Sequence, residues 1–261
     1  MDGRAQSQVI GLSRATAYPA SITLSRPSLI VALDLPDLEA AERMVERLRP
    51  AVEWFKVGSM LFTAAGPDAV RMVKAAGANV FLDLKFHDIP QTIAGGVTAA
   101  ARLGAALVTV HCAAGPAGLQ AAARAARDAA AGVRVLGVTR LTSEGGRLSR
   151  AVLAAAAQAH DAGLDGVTAA VRDARAIKAR FGPGFVVLAP GIRPAGQGAN
   201  DQVRIATPAQ AVRAGADYLV VGRPVTSAPD PHAAASAVLA EIARATRRAH
   251  APAARPRASR S

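Results

Sequence analysis

Asp83, Lys85 and Asp88 stand within six residues at the end of an apolar run, Val80-Phe81-Leu82. Alternate residues of a strand share a face, so Asp83 and Lys85 point the same way, and Asp88 follows in the next loop. Protein interiors rarely hide such charges unless they are paired or used. A carboxylate, an ammonium and a second carboxylate at one strand end suit acid–base and electrostatic catalysis. Two further charges belong with them: Asp34 follows the apolar run 29–33, and Lys56 lies in Phe55-Lys56-Val57-Gly58. If the three strands are neighbours, three carboxylates and two ammoniums gather at one rim. A lysine flanked by carboxylates acts as a proton donor, whereas a Schiff-base lysine needs the opposite surroundings. A buried ion network that merely closes the fold is the alternative, but such networks are weak sources of stability.

A second group of residues suits an anion. Pro190-Gly191-Ile192-Arg193-Pro194 and Val220-Val221-Gly222-Arg223-Pro224 each end an apolar run. Arg223 can fork onto phosphate oxygens, and Gly222 lets a backbone N–H approach them. The loop 195–202, which ends at Gln202, is glycine-rich and long enough to close over a ligand. Leu141-Thr142-Ser143 follows another apolar run. Its hydroxyls suit either a polar ring or a turn and cap. Gln91 and Thr92 open a helical segment, where backbone N–H groups are free, and Gly95-Gly96 inside that segment reads as a close-packing point. The five histidines have no metal-ligand spacing. His87 reads as a loop or packing residue, and Cys112 and Trp54 read as core.

The elements that carry these residues follow from the pattern. Short Val/Ile/Leu-rich runs at 29–33, 53–57, 79–84, 107–111, 133–138, 166–171, 185–189 and 217–221 alternate with Ala-rich segments of helical spacing, such as 37–49 and 91–103. Gly77, Gly104, Gly132, Gly163 and Gly215 fall where a helix C-terminal glycine belongs. The runs lack alternating polarity, as expected of parallel strands buried on both faces. Eight strand–helix units predict a single-domain α/β fold, a (β/α)8 barrel over residues 29–245. A doubly wound sheet is the other candidate. However, the first strand leads into Leu33-Asp34-Leu35-Pro36-Asp37, which is no dinucleotide-binding loop.

The net charge of +12 invites a nucleic-acid reading. Much of it lies at the ends. Arg4, Arg14 and Arg26 precede the barrel, and Arg247, Arg248, Arg255, Arg257 and Arg260 crowd the last residues. Residues 1–28 and 246–261 read as unstructured extensions. Nucleic acid is therefore not expected as a partner. No apolar run is long enough for a membrane span, the N-terminus lacks a secretory pattern, and a single cysteine suits the reducing cytoplasm.

Taken together, these residues resemble the orotidine 5′-phosphate decarboxylase family across about residues 29–242. The motifs are Val31-Ala32-Leu33-Asp34, Phe55-Lys56-Val57-Gly58, Asp83-x-Lys85-x-x-Asp88-Ile89-Pro90-x-Thr92, Leu141-Thr142-Ser143, Pro190-Gly191-Ile192-Arg193-Pro194 and Gly222-Arg223-Pro224, in family order. The resemblance implies a homodimeric (β/α)8 barrel. It would convert orotidine 5′-monophosphate to UMP, the last step of de novo UMP synthesis, with no metal or organic cofactor. It further implies that Asp34 and Lys56 hold the ribose hydroxyls, that Asp83 faces the substrate carboxylate, and that Lys85 protonates C6. Asp88 and Thr92 would complete the partner's site, and Thr142 would contact the pyrimidine. Arg193, Gln202, Gly222 and Arg223 would hold the phosphate.

One departure is Ala169-Ala170, where common bacterial members carry Cys-Ser; no charged role is lost. The nearest alternative is a metal-dependent sugar-phosphate decarboxylase or synthase of the same barrel group, which places a magnesium-binding carboxylate where Lys56 stands. A nucleic-acid-binding protein using the basic tail and an inactive scaffold barrel are more distant alternatives.

Overall fold

Strands rich in Val, Ile and Leu, buried on both faces, need helices outside and packed side chains inside. The computed structural model, which describes residues 27–129, 132–139, 149–194 and 206–250, has that arrangement. Eight parallel strands close into a barrel in chain order: β1 (Ser28–Ala32), β2 (Trp54–Gly58), β3 (Asn79–Phe86), β4 (Leu107–His111), β5 (Arg134–Val138), β6 (Gly166–Thr168), β7 (Val186–Ala189) and β8 (Tyr218–Val221). The outer ring holds α1 (Leu38–Leu48), α2 (Ser59–Ala65), α3 (Pro67–Ala75), α4 (Pro90–Arg102), α5 (Gly115–Asp128), α6 (Ser149–Asp161), α7 (Val171–Phe181), α8 (Pro208–Ala214), α9 (Arg223–Thr226) and α10 (Pro231–His250). The expected single α/β barrel is observed.

Two apolar layers hold it together. One lies between strands and helices and includes Val31, Phe55, Leu82, Val108 and Val187. The other fills the barrel with Ile30, Trp54, Phe81, Leu107, Leu136 and Tyr218. Few aromatics are needed, because the alanine-rich helix faces approach the sheet closely. In α5, Ala121, Ala122, Ala125 and Ala126 are all buried. Trp54 meets Tyr218 edge-on at 5.1 Å, as its core reading required. Arg134 donates to the Tyr218 hydroxyl at 2.8 Å. Burial pushes that hydroxyl's pKa up, against the lowering effect of Arg134. Gly96 is the close-packing point expected, since a Cβ there would lie 3.1 Å from the Phe86 ring. The five glycines singled out at helix ends all have φ between 70° and 88°, values that side chains other than glycine's disfavour.

Two of the boundaries that differ from the sequence reading lie at β6 and α10. β6 stops at Thr168 instead of continuing to Val171. Val171 opens α7, and Ala170 is its extended N-cap residue. The unbroken apolar run conceals that corner. At the other end, α10 continues past residue 245 to His250. Ala and Arg are strong helix formers, Ala245 is buried, and the Thr246 hydroxyl donates to the Ile242 carbonyl. Residues 1–26 and 251–261, with most of the two proposed extensions, lie outside the described residues. Among the described residues, no helix is long and apolar enough to cross a membrane.

Candidate active site

β3 does not run straight into the site. Its register against β4 shifts between Leu82 and Phe86, a bulge that re-aims side chains. Within that bulge Lys85 has φ 51°, the only positive value for a non-glycine residue among those described. Such a conformation costs on the order of 1–3 kcal/mol and persists only where its surroundings enforce it. The strand also extends to Phe86, two residues beyond the expected end.

The charges of the first three strands meet in a line of alternating sign. Lys56 Nζ lies 2.8 Å from Asp34 Oδ1 and 3.8 Å from Asp83 Oδ2. Lys85 Nζ donates to the same Asp83 Oδ2 at 2.8 Å. The other Asp83 oxygen accepts the Thr109 hydroxyl at 2.9 Å. Lys56 and Asp83 are buried, whereas the Asp34 and Lys85 side chains reach solvent. Gly58 makes room for the first pair, because a Cβ there would stand 2.7 Å from Lys56 Nζ.

These side chains line a cavity of about 380 Å³, which Arg193, Gly222 and Arg223 also line. Arg193 is buried, and its backbone N–H donates to the Ala206 carbonyl at 2.9 Å. Arg223 opens α9, the short helix after β8. At Gly222 an added Cβ would meet Ala32 only at 3.7 Å, an ordinary contact, so simple crowding by the protein does not explain this glycine. Val138, Thr168 and Leu188 give the cavity a less charged wall. The volume suits a small molecule. The chemistry suits a ligand with an anionic group at one end and, at the other, a centre that gains negative charge and a proton.

Of the residues expected in the site, Asp34, Lys56, Asp83, Lys85, Arg193, Gly222 and Arg223 are brought together. Asp88 and Thr92 are not among the cavity-lining residues. Both are exposed, and Asp88 Oδ1 accepts the Ile89 N–H at 2.6 Å. Thr142 and Gln202 lie outside the described residues. His87 stacks on His111 with ring centroids 5.2 Å apart. Cys112 is buried, and burial pushes its thiol pKa up to about 12, which makes it core and no nucleophile. Among the described residues, no three His, Cys, Asp or Glu side chains are grouped to hold a metal ion.

Sequence reasoning missed Thr109. The available signal was a lone polar residue in the apolar run Leu107-Val108-Thr109-Val110, but threonine is so common in strands that it passes unnoticed.

Comparison with known proteins gives a consistent result. Residues 27–238 match the orotidine 5′-phosphate decarboxylase / HUMPS family. The chain is 52% identical over 234 residues to the orotidine 5′-phosphate decarboxylase of Moorella thermoacetica, covering 84% of this chain and 93% of that one. It is 49% identical over 229 residues to the enzyme of the same name from Halorhodospira halophila, covering 84% and 97%. The crystal structure of orotidine 5′-phosphate decarboxylase from Lactobacillus acidophilus superposes with a TM-score of 0.71 at 35% identity, covering 83% of this chain and 99% of that one.

Proposed function

The chain belongs to the orotidine 5′-phosphate decarboxylase / HUMPS family, and from that premise we infer that it is a carboxy-lyase converting orotidine 5′-monophosphate to UMP and carbon dioxide in pyrimidine biosynthesis. The observation that carries this reading is the line Asp34–Lys56–Asp83–Lys85, which shares one cavity with Arg193 and Arg223. Breaking the bond between C6 and the carboxylate carbon leaves the electron pair on C6 of the pyrimidine as carbon dioxide departs. The Lys85 ammonium stabilises that charge and then transfers its proton to C6, giving UMP and a neutral amine.

Asp83 faces the substrate carboxylate and raises its energy relative to the transition state. Asp34 and Lys56 hold the ribose hydroxyls. Arg193, Gly222, Arg223 and Gln202 bind the phosphate, and Thr142 contacts the pyrimidine. Phosphate lies far from the bond that breaks, so its binding energy serves to close the site.

No metal or organic cofactor takes part. Lys56, held by Asp34 at 2.8 Å, supplies a cation where a metal-dependent sugar-phosphate enzyme of the same barrel group needs a carboxylate. The active form is a homodimer in which Asp88 and Thr92 complete the partner's site. The exposure of Asp88, Thr92 and the neighbouring large apolar Ile89 supports this assignment. The enzyme works in the cytoplasm, where an unpaired cysteine is at home.

The test is a near-ultraviolet assay of purified protein with orotidine 5′-monophosphate, with and without a chelator. Conversion to UMP that resists chelation is expected. No conversion by folded protein contradicts the reading, and loss of conversion on chelation contradicts the metal-free assignment.

A further inference from the structure

Thr109 touches both halves of the Asp83–Lys85 couple, yet it is fully buried and out of a ligand's reach. Its hydroxyl has one proton and two lone pairs. An ionised Asp83 can only accept, so the hydroxyl proton points at Asp83 Oδ1, 2.9 Å away. A lone pair is then left for the Lys85 N–H, which donates at 3.0 Å. That N–H belongs to the residue with φ 51°, inside the β3 bulge. The contacts form a closed ring: Lys85 N–H to Thr109, Thr109 to Asp83 Oδ1, and Lys85 Nζ to Asp83 Oδ2.

We propose that Thr109 is a positioning residue. It fixes the rotation of the Asp83 carboxylate, so that Oδ2 is presented to Lys85 and Lys56. It also pins the left-handed turn that aims the Lys85 side chain into the cavity. A β-region backbone at Lys85 would carry its N–H away from Thr109 and move the ammonium with it. Reacting groups lose much of their effect when misplaced by about 1 Å. The kinetic consequence rests on the decarboxylase reading above, whereas the clamp itself concerns only this chain's backbone.

Thr109→Val removes the hydroxyl and keeps the shape, and Thr109→Ser keeps both hydrogen bonds. With orotidine 5′-monophosphate, Thr109→Val is expected to lower kcat at least about tenfold. Its KM and its inhibition constant for UMP should stay within about threefold of wild type, since phosphate and ribose contacts are untouched. Thr109→Ser should recover most of the lost kcat. Amide hydrogen exchange gives a readout independent of substrate. The Lys85 N–H should be protected in wild type and Thr109→Ser, and should lose at least about tenfold of that protection in Thr109→Val. If Thr109→Val does not fold, Thr109→Ala takes its place in both measurements.

Wild-type kcat in the hydroxyl-free variant overturns the proposal, as does equal impairment of Val and Ser variants. Unchanged Lys85 protection overturns the clamp whatever the substrate. An inactive wild type contradicts the decarboxylase reading instead, and the exchange comparison then decides the clamp by itself.

Discussion

The phosphate role proposed for Arg223 can be separated from the proton-donor role proposed for Lys85. Arg223 lines the cavity beside Gly222, where a charge-assisted bond to phosphate would contribute about 1.5–3 kcal/mol. Arg223→Ala should therefore lower kcat/KM for orotidine 5′-monophosphate about 10- to 100-fold. It should change turnover of the phosphate-free nucleoside little. An equal loss on both substrates would remove Arg223 from the phosphate end. Cys112 gives a prediction of another kind. Its thiol is buried and stays protonated near neutral pH, with a pKa of about 12. Alkylation of the folded protein should be at least about 100-fold slower than that of the unfolded chain; comparable rates would contradict the core assignment. At this scale the charged residues are legible in sequence, since Asp and Lys ending an apolar strand are costly without a purpose. Thr109 and the turn at Lys85 are not legible. A strand threonine is ordinary, and a positive φ at lysine has no local code of the kind glycine provides.

Among the elements, β6 is the shortest strand, and at Gly166 its backbone lies close against β7. A Cβ at Gly166 would lie 2.2 Å from the Val186 carbonyl oxygen and 2.5 Å from Val186 Cβ. That obstacle is backbone and cannot swing aside, so Gly166→Ala should cost about 3 kcal/mol or more. Gly184→Ala, where nothing lies within 4 Å, should stay within about 0.5 kcal/mol of wild type. Urea unfolding of the two variants checks this; equal midpoints would contradict the packing described for β6. The order and kind of elements were readable because Val/Ile-rich runs and helix-ending glycines mark them. The ends of β6 and α10 were not. Ala169, Ala170 and Val171 are apolar in a strand and in a corner alike, and Arg/Ala repeats suit a helix as well as a tail. Only packing, as at Ala245, decides between them.

For the whole molecule, the barrel is set by eight repeated units, whereas the proposed dimer would depend on a second copy that no periodicity announces. Asp88→Asn and Lys85→Ala proteins should each be nearly inactive alone. Mixed in equal amounts with subunit exchange, they should regain about a quarter of wild-type activity. Half the dimers are then hybrids, and each hybrid carries one intact site of two. Demonstrated exchange without recovery would contradict a shared site. The central claim is that Lys85 both stabilises and protonates the carbon that loses carbon dioxide, and Lys85→Ala with orotidine 5′-monophosphate tests it most directly. UMP formation should fall at least about 1,000-fold, while the circular dichroism spectrum and UMP binding persist; near-normal turnover by this variant would contradict the account.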